Sequence, residues 1–162
     1  MSSSGPYQLK PCTDQELVAV FRWFKSTQAV LYWAGPEVSY PLQIKRFKQE
    51  SKFDKSHSYV LINQANQVLA FGQYYQRLDC CHLGRLVVAP NHRKQGLGQE
   101  LVAQLLARGQ QHLGLDHASL FVLKDNLPAM RLYQKLGFVK TSYPQTIPLK
   151  NCLYMVRHQK PD

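Results

Sequence analysis

Apolar positions that recur with the period of an α-helix mark the first part of the chain. Residues 13–16 have the spacing of a capping box, and the apolar residues that follow repeat at i, i+3, i+4 and i+7, namely Leu17, Val20, Phe21 and Phe24. This pattern predicts a first helix that packs one face on a core. Residues 26–57 are largely helical in pattern but less regular, and a second helix is predicted over residues 42–50.

The middle of the chain changes to the pattern of strands. Residues 58–63 and 67–75 are rich in β-branched and aromatic side chains, and the short connection between them predicts a hairpin. Residues 80–88 are predicted to add a third strand to this antiparallel meander. A short strand is predicted over residues 7–10.

Helices alternate with strands in the second half. A polar loop over residues 89–98 leads into a helix whose apolar stripe includes Leu101 and Leu105, and which is expected to end near Gly109 or Gly114. Residues 118–123 are almost continuously apolar, as in a strand buried on both faces. A helix over residues 127–136, capped by Asn126, and strands near residues 138–143 and 152–158 complete an α+β fold with a mixed sheet. The central strand–helix–strand unit requires a parallel pair.

Composition narrows the class of protein. The 162 residues fit a single domain, 1–162, with residues 1–5 as an expected flexible tail, and 44% hydrophobic residues exclude a disordered chain. The net charge of +10 makes nucleic acid, an anionic membrane or a polyphosphate ligand candidate partners. No apolar run of about 18 residues is present, which excludes a transmembrane helix. The first residues lack the pattern of a secretory signal, so a cytoplasmic location is expected.

The four cysteines have no metal-ligand spacing, so the sequence predicts no metal site and reduced thiols. Most unpaired cysteines behave as small buried hydrophobic residues. The alternative is that Cys80 or Cys81 acts as a nucleophile.

Residues 85–99 have the pattern of a ligand-binding segment. Two cations follow a strand, and Gly96 and Gly98 remove side chains where a helix begins. Bare amides and the helix dipole at such a start bind anions, and glycines let a phosphate approach the backbone. The pattern predicts a pyrophosphate-sized ligand at residues 93–99, the alternative being a helix start without a ligand. Neither the dinucleotide fingerprint nor the P-loop fits, because an outer glycine and a Gly-Lys-Ser/Thr sequence are missing.

The spacing Val88-x-Pro90-x-x-Arg93-x-x-Gly96-x-Gly98 resembles the acetyl-CoA-binding motif of the GNAT superfamily of N-acetyltransferases. Residues 126–138 are similar to its second signature, in which Asn, Ala, Tyr and Gly-Phe recur at this spacing. The resemblance implies a GNAT-like mixed, mostly antiparallel sheet of six to seven strands flanked by about four helices. The segment over residues 32–36 also resembles the ribosomal-protein acetyltransferase branch.

The resemblance implies a role for each matching residue. The backbone of Leu86, Val87 and Val88 is expected to pair with the pantetheine arm of acetyl-CoA like an added strand. Asn126 matches a position that contacts the cofactor, and Tyr133 one whose hydroxyl faces the sulfur and acts as general acid, the alternative being a ring packed in the core. The pyrophosphate is expected to bind Arg93 and the loop that follows, which comprises Lys94, Gln95, Gly96, Leu97, Gly98 and Gln99.

The sequence leaves several candidates for the general base that deprotonates the amine. Phe121 stands where some relatives carry a glutamate, so that route is absent. Other relatives place a carboxylate where this chain has His82, and strand alternation would put His82, Gly84, Leu86 and Val88 on one face. A neutral imidazole is a candidate base, the alternative being a structural histidine with a water relay to solvent. Asp79 and Glu37 are more remote candidates.

The sequence therefore predicts an enzyme that transfers an acetyl group from acetyl-CoA directly to a primary amine in a ternary complex. The acceptor is expected to be a small-molecule amine or a protein or peptide amine, with no membrane and no specific nucleic acid as partner, in a monomer or homodimer. Trp33 is a candidate for the acceptor pocket, as are Tyr40, Tyr74 and Tyr75. The alternative function is a non-catalytic acyl-CoA sensor or regulatory module.

Only part of the positive charge is explained by the phosphates of coenzyme A. The basic cluster from Lys45 to Lys55 lies outside the cofactor motif, and it is either a solvated helix face or an anion-binding patch. A strongly cationic acceptor would be repelled unless nearby carboxylates line its path.

Overall fold

The computed structural model describes residues 5–158, so the predicted tail lies outside the described residues except for Gly5. Seven strands are present in this part of the chain: β1 (Gln8–Pro11), β2 (His57–Ile62), β3 (Val68–Arg77), β4 (Cys80–Val88), β5 (His117–Leu123), β6 (Val139–Lys140) and β7 (Cys152–Arg157). They form one sheet in the spatial order β1-β2-β3-β4-β5-β7-β6. The β4–β5 pair is parallel and the other neighbouring pairs are antiparallel, which confirms the predicted mixed sheet.

The same residues contain five α-helices: α1 (Asp14–Phe21), α2 (Thr27–Ala34), α3 (Ile44–Glu50), α4 (Leu97–Leu113) and α5 (Leu127–Lys135). The prediction of about four helices resolved α1, α3, α4 and α5 but left α2 inside an irregular stretch. Ser26 starts α2 by accepting a hydrogen bond from the backbone N–H of Ala29 at 3.1 Å. None of these helices is long and apolar enough to cross a membrane.

The structure decides between the two predicted ends of α4, and it shortens one predicted strand. Helix α4 ends at Gly114, whose φ of +66° suits glycine, whereas Gly109 is buried inside the helix. A side chain at Gly109 would meet the Cys81 sulfur at 2.7 Å, so this glycine allows close packing rather than ending the helix. The strand expected over residues 138–143 is only β6, which pairs with β7 through Val156 and Met155.

Hydrophobic clusters lie on both faces of the sheet. One cluster joins α4 and α5 to the sheet through residues such as Leu101, Leu105 and Tyr133. The other joins α1, α2 and α3 to the opposite face, with Phe47 and Phe71 fully buried. The two helical layers therefore hold the central strands from opposite sides.

A β-bulge in β4 changes which side chains share a face. Gln73 pairs with Gly84 but Phe71 pairs with Val87, so Arg85 and Leu86 together face Gly72 of β3. Arg85 has a φ of +48°, and the extra residue reverses the alternation that follows it. The expectation that His82, Leu86 and Val88 share one face was therefore wrong. Leu86 and Val88 pack with Leu83 in the α4 cluster.

The sheet forks between β4 and β5. Their parallel pairing runs from Cys80 with His117 to Leu83 with Leu120 and stops there. Beyond this point β4 remains paired with β3, and β5 remains paired with β7. The two central strands thus diverge at the carboxyl end of the parallel pair, where the ligand site of an open sheet is commonly found.

Candidate active site

A cleft of about 220 Å³ opens at this fork, and we call it the central cleft. Both diverging strands line it, β4 from His82 to Leu86 and β5 from Phe121 to Leu123. The end of α2 closes one side and α5 the other, through Trp33 and Tyr133 among others. The fork therefore brings residues from both helical layers into one space.

The β4 edge in the central cleft has the form that an added strand requires. Residues 84–88 pair with β3 on one side and with no described strand on the β5 side. Backbone N–H and C=O groups on that side can pair with an extended ligand, apart from the Arg85 and Val88 carbonyls, which accept hydrogen bonds from Trp33 and Arg93. Leu86, Val87 and Val88, which the sequence analysis predicts to pair with a pantetheine arm, lie in this segment.

The predicted pyrophosphate loop lies where β4 leads into α4. Lys94 and Gly96 have φ values of +64° and +78°, and this tight turn places Gly96 at the N-cap of α4. The first amides of α4 have no partner within the helix. Gly98 lies close to α5, since a Cβ there would be 3.1 Å from the Leu132 side chain. Arg93 is exposed, and its Nε donates to the Val88 carbonyl oxygen at 3.4 Å. These features suit a phosphate group.

Helix α5 supplies two of the predicted cofactor residues. Asn126 caps the helix, and its Oδ1 accepts a hydrogen bond from the Ala129 N–H at 3.3 Å. The Tyr133 ring packs near Phe138, with centroids 6.1 Å apart, and only 9% of the residue is exposed. Burial raises the pKa of Tyr133 to about 12. The two interpretations of Tyr133, a core ring and a residue of the site, are therefore compatible. Its side chain packs in the core and also lines the central cleft as a protonated phenol.

His82 lies on β4 beside the point where the strands separate. Its Nδ1 and the Ser119 Oγ of β5 form a hydrogen bond of 2.8 Å, and only 2% of the residue is exposed. Rings of Tyr75 and Phe121 flank it at 5.2 and 4.9 Å. Burial, and secondarily the charge of Arg77, lowers the pKa of His82 to about 3. The imidazole is therefore neutral near pH 7 and is a weak proton acceptor.

Trp33 lines the central cleft at the end of α2. Its indole Nε1 donates to the backbone carbonyl of Arg85 at 2.8 Å, which ties α2 to the β4 bulge. The ring stacks on Phe24 at 4.3 Å and on Phe47 at 5.5 Å. Trp33 therefore shapes the cleft while most of its surface serves packing.

The other candidates for the acceptor pocket lie in different parts of the structure. Tyr75 lines the central cleft, whereas Tyr40 is exposed elsewhere and Tyr74 is buried beside Tyr59 and His112. The weaker base candidates, Asp79 and Glu37, do not line this cleft.

The structure adds Arg85, which the sequence analysis did not select. The bulge turns this residue out of the strand alternation, and its side chain lines the central cleft. A single arginine inside an apolar strand was a signal for this site, but its contacts could not be read from the sequence.

The buried thiols of Cys81 and Cys152 do not support a covalent route. Burial, and secondarily Cys80, raises the pKa of Cys81 to about 12, so its thiol is protonated near pH 7. Cys152 lines the central cleft, and burial raises its pKa as well. Nucleophilic cysteines need a thiolate, which neither environment favours. Within residues 5–158, no group of three or more His, Cys, Asp or Glu residues is arranged to hold a metal ion.

Comparison with known families matches residues 18–138 to the model of the acetyltransferase (GNAT) family. The chain belongs to the GNAT acetyltransferase family. The match spans the fork, the glycine loop and α5, so these features are those of a GNAT domain.

Curated GNAT relatives match shorter segments. An uncharacterised N-acetyltransferase from Schizosaccharomyces pombe is 37% identical over 76 residues, which cover 47% of this chain and 46% of the relative. Mycothiol acetyltransferase from Salinispora tropica is 32% identical over 106 residues, or 62% of this chain and 34% of the relative. The matched segments thus span less than half of these two proteins.

A solved GNAT structure aligns with nearly the whole of this chain. The spermidine N-acetyltransferase from Vibrio cholerae, solved with CoA and spermine, has a TM-score of 0.73 at 16% identity. The alignment covers 95% of this chain and 96% of that one. At this identity the match confirms the fold, while membership of the ribosomal-protein branch stays a prediction.

Proposed function

We propose that the protein is an acetyl-CoA-dependent N-acetyltransferase that transfers the acetyl group directly to a primary amine in a ternary complex. One observation carries the proposal: an open strand edge and a protonated Tyr133 meet in the central cleft, and the same strand leads into a helix start suited to phosphate. The family to which the chain belongs uses acetyl-CoA.

The residues present fit this cofactor. The backbone of Leu86, Val87 and Val88 would hold the pantetheine arm, and Asn126 would contact it from α5. Arg93 and the loop comprising Lys94, Gln95, Gly96, Leu97, Gly98 and Gln99 would hold the pyrophosphate. When bound, acetyl-CoA would supply the acetyl group as an activated thioester.

Tyr133 is assigned as the general acid. The amine nitrogen forms a bond to the acetyl carbon while the carbon–sulfur bond breaks, so the departing sulfur gains an electron pair and needs a proton. Because burial keeps Tyr133 protonated, its Oη can donate that proton and recover it from solvent. The backbone N–H of Val88 or of a neighbouring residue would polarise the acetyl carbonyl.

The amine must lose a proton, and the structure favours a water relay over His82 for this step. A base with a pKa near 3 holds a proton poorly at pH 7. His82 can still orient water through its second ring nitrogen, since Nδ1 is bonded to Ser119. We therefore assign His82 to the proton path as a positioning residue rather than as the base itself.

The second candidate function is a non-catalytic sensor of acyl-CoA. The weak basicity of His82 and the presence of Phe121 in place of a glutamate favour it. Such a sensor would bind acetyl-CoA and release no thiol in the presence of any amine.

Calorimetry and a thiol-release assay test the proposal together. The protein should bind acetyl-CoA in the micromolar range and release CoA when a suitable amine is added. Failure to bind at millimolar acetyl-CoA would exclude both functions, whereas binding without release across a broad amine panel would favour the sensor.

Tyr133→Phe tests the assigned acid. Loss of general acid catalysis should lower kcat about a hundredfold or more while leaving acetyl-CoA affinity unchanged. Tyr59→Phe is the matched control, because Tyr59 lies on β2 beside Tyr74, outside the cleft. Equal rates for the Tyr133 variant and the native protein would remove Tyr133 from this role.

A further inference from the structure

A second cleft, of about 560 Å³, adjoins the central cleft at Tyr75 and Arg85, which line both. We call it the basic cleft. The charged side chains that line it are Glu37, Glu50, Lys52, Lys55, Arg77 and Arg85. It extends the acceptor end of the central cleft away from the cofactor residues.

Arg85 places a positive charge at the junction of the two clefts. Its Nε donates to the Ala34 carbonyl at 3.3 Å, and its Nη1 donates to the Gln73 side-chain oxygen at 2.9 Å. Both acceptors are neutral, and among residues 5–158 Arg85 forms no ion pair with a carboxylate. Burial lowers the pKa of Arg85, which reflects the cost of holding its charge there.

Arg77, at the end of β3, also donates its hydrogen bonds to neutral groups. Its Nη1 donates to the Tyr143 hydroxyl at 2.9 Å and its Nη2 to the Tyr75 hydroxyl at 3.2 Å. The guanidinium lies 5.1 Å from the centroid of Phe121. Its Nε is buried and has no hydrogen-bond partner among the described residues. Aromatic rings and hydroxyls orient this cation without neutralising it.

The carboxylates of the basic cleft do not balance these charges. Glu50 accepts two hydrogen bonds from Ser39, at 2.9 and 2.7 Å, and lies 3.9 Å from Arg46. Glu37 is exposed and forms no ion pair with Arg85 within the described residues, and its charge offsets the effect of burial only in part, since the pKa of Arg85 remains lowered. The acceptor end of the site therefore keeps an excess of positive charge.

We propose that the acceptor amine carries a carboxylate, which binds Arg85 in the basic cleft while the amino group lies in the central cleft. This inference rests on the proposed function. A guanidinium matches a carboxylate through two parallel hydrogen bonds, and a partly buried cation gains most from such a partner. A polyamine would instead bring its positive charges against Arg77 and Arg85.

Matched amines test the charge of the acceptor. Glycine, β-alanine and γ-aminobutyrate are compared with their carboxamides and with spermidine in the thiol-release assay. At least one amino acid should exceed its carboxamide in kcat/KM by about tenfold or more, the value of a charge-assisted pair. Calorimetry of the same amines with the CoA complex should show binding of that amino acid and weak or no binding of its carboxamide.

Arg85→Gln should abolish this preference through a higher KM for the amino acid, and Arg85→Lys should restore part of it. Arg22→Gln is the control, because Arg22 is exposed at the end of α1 and lines neither cleft. Unchanged CoA affinity shows that the variants are folded.

The outcomes separate the two proposals. Amines acetylated without regard to a carboxylate, or spermidine used best, would overturn the inference and leave the proposed function intact. A preference that Arg85→Gln and Arg22→Gln reduce equally would also overturn it. If no amine releases CoA, the proposed function fails, and selective binding of an amino acid to the CoA complex would still support the carboxylate site.

Discussion

The two walls of the proposed substrate site are built in different ways. The proposed cofactor wall, comprising Leu86 to Val88, residues 93–99 and α5, extends from the central cleft to the start of α4 and presents mainly backbone groups placed by glycines, a helix start and an open strand edge. The acceptor wall, comprising Trp33, Tyr75, His82, Arg85 and Phe121, presents side chains fixed by one another. Backbone geometry suits a ligand with an invariant shape, whereas side chains set which second substrate fits.

This contrast predicts that variants in the two walls fail differently. Changes in the cofactor wall should act on acetyl-CoA affinity, and changes in the acceptor wall on KM for the amine. The following tests run from the largest expected effect to the smallest.

Gly96→Ala should lower acetyl-CoA affinity about a hundredfold by calorimetry. A side chain at φ +78° forces the turn to shift, and two charge-assisted bonds to phosphate at about 1.5 kcal/mol each would be lost. Gly114→Ala is the control, since its φ is +66° at the other end of the same helix and both sites have open space. Both variants should lose about 1–2 kcal/mol of stability. Equal cofactor affinity in the two variants would contradict the assigned role of the loop.

His82, at the fork between the walls, should make stability depend on pH. Its pKa is about 3 in the folded state against 6.5 as the ordinary value, so the unfolded chain takes up the proton first as pH falls. Stability is therefore retained above about pH 6.5 and falls below it by about 1.4 kcal/mol per pH unit. Urea unfolding at about pH 7 and pH 5 measures the slope, which His82→Gln should reduce.

His57→Gln is the comparison for this slope. Burial, and secondarily His112, lowers the pKa of His57, so it contributes with the same sign. If His82→Gln leaves the loss of stability at low pH unchanged, His82 is not buried as a neutral ring.

Trp33→Phe should weaken the acceptor wall alone. The lost bond to the Arg85 carbonyl is worth about 1 kcal/mol, and KM for the amine should rise several-fold with little change in acetyl-CoA affinity. Trp23→Phe is the control, because Trp23 packs in the same hydrophobic cluster and does not line the cleft. A larger effect on acetyl-CoA than on the amine would break the distinction between the walls.

Cys81→Ala should leave turnover within about twofold of the native rate, because a buried protonated thiol takes no part in direct transfer. Steady-state kinetics in the thiol-release assay measure the effect, and Cys80→Ala serves as the companion variant. Loss of turnover in either variant, with acetyl-CoA affinity intact, would revive a covalent route.

The strands, turns and helix starts of the proposed cofactor wall were largely predictable because local sequence determines them. The glycines of the loop, the Asn126 cap and the strand before them lie within short segments that recur in GNAT domains. The predicted alternation of side chains along β4 was wrong, because the hydrophobic pattern of a strand does not reveal a β-bulge.

The acceptor wall could not be predicted in the same way. Trp33 meets Arg85 across 52 positions of sequence, and Arg77 meets Tyr143 across 66. Such contacts depend on how the sheet forks and on where α2 docks. Composition showed an excess of positive charge, but only the fold shows which cations line the central and basic clefts.

The open edge of β4 also bears on self-association. An unpaired strand edge is a template on which a second chain can add a strand, and proteins usually cover it or interrupt it with charge. Here residues 84–88 lie inside a forked sheet, and α2 and α5 stand on either side of the opening. Because β4 is an internal strand of the sheet, its open segment does not lie at an outer edge, where a neighbouring β-sheet would most readily add a strand.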